Sequence, residues 1–140
     1  MAGNDQALSR KQKLTIINHF LVALRNTDMA QLEQLMTEDV AWIIPQSSPP
    51  PFGGRHEGRE KILGMLSVSL FKPNSGGVDI DQVIVEGDRV VAEVTISGET
   101  TKGRDYRNYY VFIITLREGR VAEFKEHLDT AYANAVFWAE

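Results

Sequence analysis

Three strand-like runs fill the last third of this 140-residue chain: Arg89–Glu99, Tyr106–Leu116 and Arg120–Leu128, joined by glycine-bearing turns and closed by Asp129-Thr130. Side chains alternate along a strand, so such a block commits the chain to a sheet with one apolar face in need of cover. The cover lies upstream. Leu14, Ile17, Phe20, Leu21 and Leu24 recur at spacings of three and four, the apolar stripe of one helix, with Ser9 as N-cap. Asp28 caps a second helix over Met29–Met36, whose Leu32, Leu35 and Met36 point inward. Val40–Ile44 reads as a strand stopped at Pro45, and Gln46–Gly54, with Pro49, Pro50 and Pro51 in a row, as a stiff loop. The spacing of Ile62, Leu63, Leu66 and Leu70 predicts a third helix from Arg59 to the vicinity of Phe71-Lys72-Pro73. Val78–Glu86 is a further strand, turned by Gly87-Asp88 into the three-strand block. Arg117-Glu118-Gly119 suits a three-residue hairpin, and Ala131–Trp138 a short helical tail capped by Asp129.

Helices first and strands last describe an α+β domain, a curved antiparallel sheet covered by N-terminal helices. A concave sheet under such a roof leaves a cone-shaped cavity suited to a small apolar ligand. With 43% hydrophobic residues the chain supplies one core, so residues 1–140 form a single domain, with 1–10 as a loose N-terminal extension. The net charge of -4 and a pI near 5.4 leave no extended basic surface for phosphates, which argues against nucleic acid as a partner. No apolar run approaches the roughly 20 residues that span a bilayer, and Met1–Arg10 carries no apolar signal region; a cytoplasmic protein without membrane contact is expected. The chain has no cysteine, hence no thiolate chemistry. Gly53-Gly54 and Gly76-Gly77 lack the rest of a phosphate-binding motif, and His19, His56 and His127 show no ligand spacing, so no cofactor and no metal are expected.

The residue that stands out is Glu126. In the last run it shares a face with Ala122, Phe124 and Leu128, and an acid in such company is either paired or put to work. Asn108 and Tyr110 share a face of the central run, where both can hydrogen-bond a substrate oxygen. Trp42 shares one with Val40 and Ile44. His56, in the loop before the third helix, is placed at the cavity mouth as a proton carrier or simply in solvent. Glu93 alternates with Val90, Ala92, Val94 and Ile96, which turns it toward solvent. Tyr109, Val111 and Ile113 make the central run apolar on its second face as well, the pattern of a homodimer packed through the sheet.

Several local sequences, taken in order, resemble the nuclear transport factor two-like superfamily, in particular its SnoaL-like polyketide cyclases and ketosteroid isomerase relatives. They are Phe20-Leu21-Val22-Ala23-Leu24-Arg25-Asn26-Thr27-Asp28, Thr37-Glu38-Asp39-Val40, Glu57-Gly58-Arg59-Glu60-Lys61-Ile62, and Tyr109-Tyr110-Val111-Phe112 through Glu126-His127-Leu128-Asp129. The resemblance implies a cone-shaped α+β barrel. It also implies absences, because the ketosteroid isomerase tyrosine and aspartate match Phe20 and Ile44 here. The Asp-Arg-Asp set of limonene epoxide hydrolases matches Thr95, Glu93 and Glu126, which would turn Glu93 inward. The acid of SnoaL-like cyclases matches Glu126. The expectation is therefore a cofactor-free acid/base enzyme on a mostly apolar, oxygen-bearing small molecule. Glu126 would move the proton, Tyr110 and Asn108 hold the oxygen, and His56 sit near the entrance. Phe20, Trp42, Glu93, Phe112, Phe124 and Leu128 would form the substrate wall. Isomerisation, cyclisation, dehydration and hydrolysis all remain open, as does a non-catalytic ligand-binding or assembly domain of the same fold.

Overall fold

The computed structural model describes residues 7–139. The expected extension over 1–10 therefore lies largely outside the described residues, and Arg10 already belongs to the first helix. Helix α1 (Arg10–Asn26) opens on a capping box: the Ser9 hydroxyl accepts from the Gln12 backbone N–H, and the Gln12 side chain accepts from that of Ser9. It ends where Thr27 turns left-handed at φ 55°, after which Asp28 caps α2 (Met29–Leu35).

Strand β1 (Met36–Ile44) follows without a loop, four residues earlier than the sequence pattern suggests. Next come β2 (Gly54–Glu57), α3 (Arg59–Leu66), β3 (Gly77–Glu86), β4 (Arg89–Glu99), β5 (Asp105–Arg117), β6 (Arg120–Leu128) and α4 (Thr130–Phe137). The six strands form one curved, unclosed sheet in the order β2-β1-β6-β5-β4-β3. Helix α1 packs on β3 and β4, α2 on β1 and β6, α3 on β1 and β2, and α4 on β5. Phe20, Leu32, Met36, Val40, Ile62 and Phe124 are sealed between the layers. Each such side chain contributes roughly 1.5–3 kcal/mol through burial.

The α+β architecture is as the element order requires, with local departures that have physical causes. The sheet is mixed, because β1 runs parallel to β6, a pairing between segments far apart in sequence that no local pattern reports. The Gln46–Gly54 loop ends in the short edge strand β2, whose polar Arg55 and Glu57 hide a strand signal. Helix α3 stops at Leu66, not near Phe71, because the following segment is captured by the far end of β4. Lys72 N–H bonds the Glu99 carbonyl at 2.8 Å, Thr101 N–H the Leu70 carbonyl at 3.1 Å, and Phe71 bridges to Thr100. The β5–β6 turn has two residues, not three: Arg117 pairs with Arg120, and Glu118 and Gly119 both take positive φ, as such a hairpin demands. An extra residue at Ala122 shifts the β5–β6 register, so Val121 rather than Ala122 joins Phe124 on the inner face.

Candidate active site

Between the sheet and the helices lies a cavity of about 200 Å³. Its sheet wall consists of Trp42 and Ile44 from β1, Ile96 from β4, Tyr110 and Phe112 from β5, and Glu126 and Leu128 from β6. The helices and connections add Leu24, Arg25, Phe52, Leu70, Phe71 and Phe137. At the rim Phe52 stacks on the half-exposed Trp138, ring centres 5.8 Å apart. Ser47 ties this loop to α4 through Thr130 and Asn134.

Glu126 is the acid of this wall. Strand β6 sits between β1 and β5, so Glu126 is far from any sheet edge, facing Phe112 across one strand pair. Its one hydrogen-bond donor among the described residues is Trp42, whose indole N–H reaches Oε1 at 2.7 Å. Trp42 is itself fixed by stacking on Phe124 at 5.5 Å, and Phe124 meets Phe20 edge-on at 5.0 Å. No cationic side chain among the described residues lies within ion-pair distance of Glu126. Part of its surface is reachable because it opens on the cavity, yet it is surrounded by protein. A carboxylate has about four lone-pair sites, and one donor does not replace water. Desolvation therefore pushes its pKa up to about 7, while the Trp42 hydrogen bond pulls the other way. Such an acid exchanges its proton readily near neutrality.

Tyr110 stands on the same wall, its hydroxyl 2.5 Å from that of Tyr106. Asn108 Nδ2 donates to Tyr106 Oη at 2.9 Å and to the Asp129 carbonyl at 3.1 Å. With Asn108 donating into it, the Tyr106 hydroxyl has no acceptor but Tyr110 among the described residues. Either hydroxyl can donate in the Tyr106–Tyr110 bond, and Tyr110 is the one of the two that lines the cavity. Burial pushes Tyr106 up to about 12 and Tyr110 well above its ordinary value, so both stay neutral donors. Tyr106 escaped the sequence analysis although its parity with Asn108 and Tyr110 put it on their face.

The remaining expected site residues divide. Trp42, Phe112 and Leu128 line the cavity, as does Tyr110. Phe20 and Phe124 are fully buried behind the wall and support it without lining it; Asn108 likewise acts through Tyr106. Glu93 is exposed, on the face opposite Ala92 and Val94, which corrects its inward placement by resemblance: the ladder keeps strict alternation there. His56 is corrected too. It lies on β2, is 8% exposed, and neither sits in a loop nor lines the mouth. Pairing with Trp42 turns it inward, where Nε2 meets the Phe52 carbonyl at 2.6 Å and Nδ1 has no partner. His19 and His127 are exposed, and no metal-binding group of side chains occurs among the described residues. No described helix is long and apolar enough to cross a membrane.

The sequence matches the family model of the SnoaL-like domain over residues 17–124, more than three quarters of the chain. The chain belongs to the SnoaL-like domain family. The matched stretch ends two residues short of Glu126. A search of curated protein sequences finds no match. Among solved structures, an NTF2-like protein of unknown function from Burkholderia pseudomallei is 22% identical with a TM-score of 0.76, covering 94% of this chain and 100% of its own. A protein assigned as a SnoaL-like polyketide cyclase from Jannaschia sp. is 20% identical with a TM-score of 0.74, covering 96% and 99%. TerC, co-crystallised with polyporic acid, is 20% identical with a TM-score of 0.76, covering 91% and 99%. At these identities the likeness establishes the cone-shaped α+β fold, and function must be argued from the site.

Proposed function

We propose that this SnoaL-like domain is a cofactor-free enzyme that moves a proton on a small, mostly apolar, oxygen-bearing molecule. The observation that carries this reading is Glu126: a carboxyl on a cavity wall, with no cation within ion-pair distance among the described residues, held by one indole N–H and tuned to about 7 by burial. Glu126 takes a proton from carbon or hydroxyl. The Tyr110 hydroxyl, aimed by Tyr106 and Asn108, donates to the oxygen on which charge grows. Phe112, Leu128 and Trp42 enclose the carbon skeleton. A small-molecule ligand is in keeping with the TerC structure, which was co-crystallised with polyporic acid. At about 200 Å³ the space is below the ~300–1,000 Å³ of drug-sized pockets, which points to one or two rings.

A non-catalytic ligand-binding domain is the second reading. It is favoured by the apolar Phe20 and Ile44, which by the family resemblance match the positions where ketosteroid isomerases carry reactive groups. We also propose a homodimer through the outer face of β5, where Tyr109 is 64% exposed beside Val111 and Ile113.

The test is deuterium exchange into 2-tetralone in deuterium oxide, followed by NMR beside a carboxyl-carbon titration of Glu126. The enzyme reading requires exchange above background that rises with pH through a limb near 7, matching the titration. A Glu126 that titrates at the ordinary carboxylate value, with no exchange, overturns it in favour of the binding domain.

A further inference from the structure

Arg25, in the last turn of α1, is the other ionisable end of the cavity. Its guanidinium has a built seat. Nε donates to the Ser97 carbonyl at 3.1 Å, and Nη2 donates to the carbonyls of Ser97 at 2.8 Å and Ser75 at 2.5 Å. The Phe71 ring covers one face, its centre 3.9 Å from Cζ. The backbone is cut to fit this group: a Cβ on Gly98 would collide with Nη2 and with Phe71, and one on Gly76 would collide with the Ser97 carbonyl. Gly76 also holds φ 61°, which an L side chain adopts only with strain.

This seat accounts for two of the three guanidinium nitrogens. Nη1 has no partner among the described residues, and no carboxylate there lies within ion-pair distance of Arg25. Carbonyl dipoles and the C-terminal end of α1 stabilise the positive charge in part. A half-buried guanidinium without a counter-ion is nonetheless costly to keep. Its planar form and unspent N–H groups suit an anionic oxygen. Arg25 faces the same cavity as Glu126.

The two groups sit at different ends of that cavity. Ser97, which seats Arg25, pairs with Arg107 on β5, whereas Glu126 pairs with Phe112. From Arg107 to Phe112 is roughly 16 Å of strand. Ile96, Tyr110 and Phe112 supply the wall between.

We propose that Arg25 anchors a carboxylate of the cavity's ligand, making the substrate a small aromatic or alicyclic acid whose apolar body runs along Ile96 and Phe112 toward Glu126. This rests on the reading of the cavity as the substrate site and names the class of molecule it takes. The anchor fixes one end of the ligand and directs its apolar body along the wall toward the Glu126 end of the cavity. A neutral analogue keeps the apolar contacts and loses the anchor.

The experiment compares binding of 2-naphthoate, 2-naphthamide and 2-methylnaphthalene by calorimetry at pH 7.5. The unmodified protein should bind 2-naphthoate at least tenfold more tightly than either neutral probe. Arg25→Met should abolish that preference and leave the 2-methylnaphthalene affinity within twofold. Because Arg25 also ties α1 to the sheet, a measurement on the unmodified protein stands beside the variant: the side-chain N–H resonances of Arg25 should move on adding 2-naphthoate and stay put with 2-methylnaphthalene. Equal affinities for the three probes, a preference that survives Arg25→Met, or resonances that do not move would each overturn the proposal. Glu126→Gln should keep the carboxylate preference. Failure of the Arg25 tests with Glu126 still titrating near 7 would sink the anchor alone, whereas an ordinary Glu126 with a working Arg25 would sink the catalytic reading and leave an acid-binding domain.

Discussion

Glu123 and Glu126 are the same residue type on the same strand, three positions apart, and they lead different lives. Glu123 looks outward into a broad charged depression, where Arg55 Nη1 reaches it at 3.2 Å and also pairs with Glu57 at 2.8 Å. Those partners hold the exposed Arg55 guanidinium more firmly charged, Glu57 most of all. Glu126 looks inward, meets one indole, and is pushed up to about 7. In the outer depression Arg55 pairs with Glu57 and Glu123, and Arg117 with Asp39, all of them open to water, where such pairs contribute little. What separates the two acids is the strand's parity: Glu123 faces the outer side with Arg55 beside it, and Glu126 faces the cavity with no cation within ion-pair distance among the described residues.

The largest expected effect is on catalysis. Glu126→Gln should lower 2-tetralone exchange by ~10²–10⁴, the usual worth of a general acid or base, while Glu123→Gln leaves it unchanged. Equal losses from both would erase the contrast.

Stability should move the opposite way. The unfolded chain releases the Glu126 proton from about 4.5 upward, while the folded protein holds it until about 7. Across that window stability falls as pH rises, and above it the penalty is constant. Glu126→Gln, whose amide oxygen can still accept from Trp42, should therefore be more stable than the parent at pH 8. The gain is on the order of 3 kcal/mol, with little difference at pH 4, as read by urea unfolding at the two pH values. A variant less stable at pH 8 would show that the carboxylate is better solvated than its surroundings suggest.

A smaller effect sharpens the role of the indole. Trp42→Phe removes the donor that lowers the Glu126 pKa, so its NMR titration should shift further up. The smallest effect belongs outside: Arg55→Ala or Glu123→Gln should change stability by less than about 1 kcal/mol, since exposed ion pairs contribute little.

Much of this was open to reading without coordinates. The alternation of Phe124, Glu126 and Leu128 placed the acid on the inner face, and the parity of Tyr110 with Asn108 placed a donor beside it. Alternation also placed Glu93 outside, correctly against the family comparison. His56 was singled out but misplaced, because a four-residue edge strand with arginine and glutamate on either side looks like a loop. Arg25 escaped because an arginine at a helix end is ordinary in sequence, and its neighbours Ser75, Ser97 and Phe71 are some 50 to 70 residues away.

The sequence by itself determined the elements other than the edge strand β2, their order, the inward parity of Glu126 and membership in a family whose sheets curve under helices. These follow from side-chain period and capping, both local properties of a chain. Only the tertiary structure decided that β1 lies parallel to β6. That pairing brings the Trp42 indole to Glu126, and the packing of α1 on β3 and β4 puts Arg25 on the same cavity. Desolvation and pairing depend on what surrounds a group in space, and a linear pattern does not contain that surrounding.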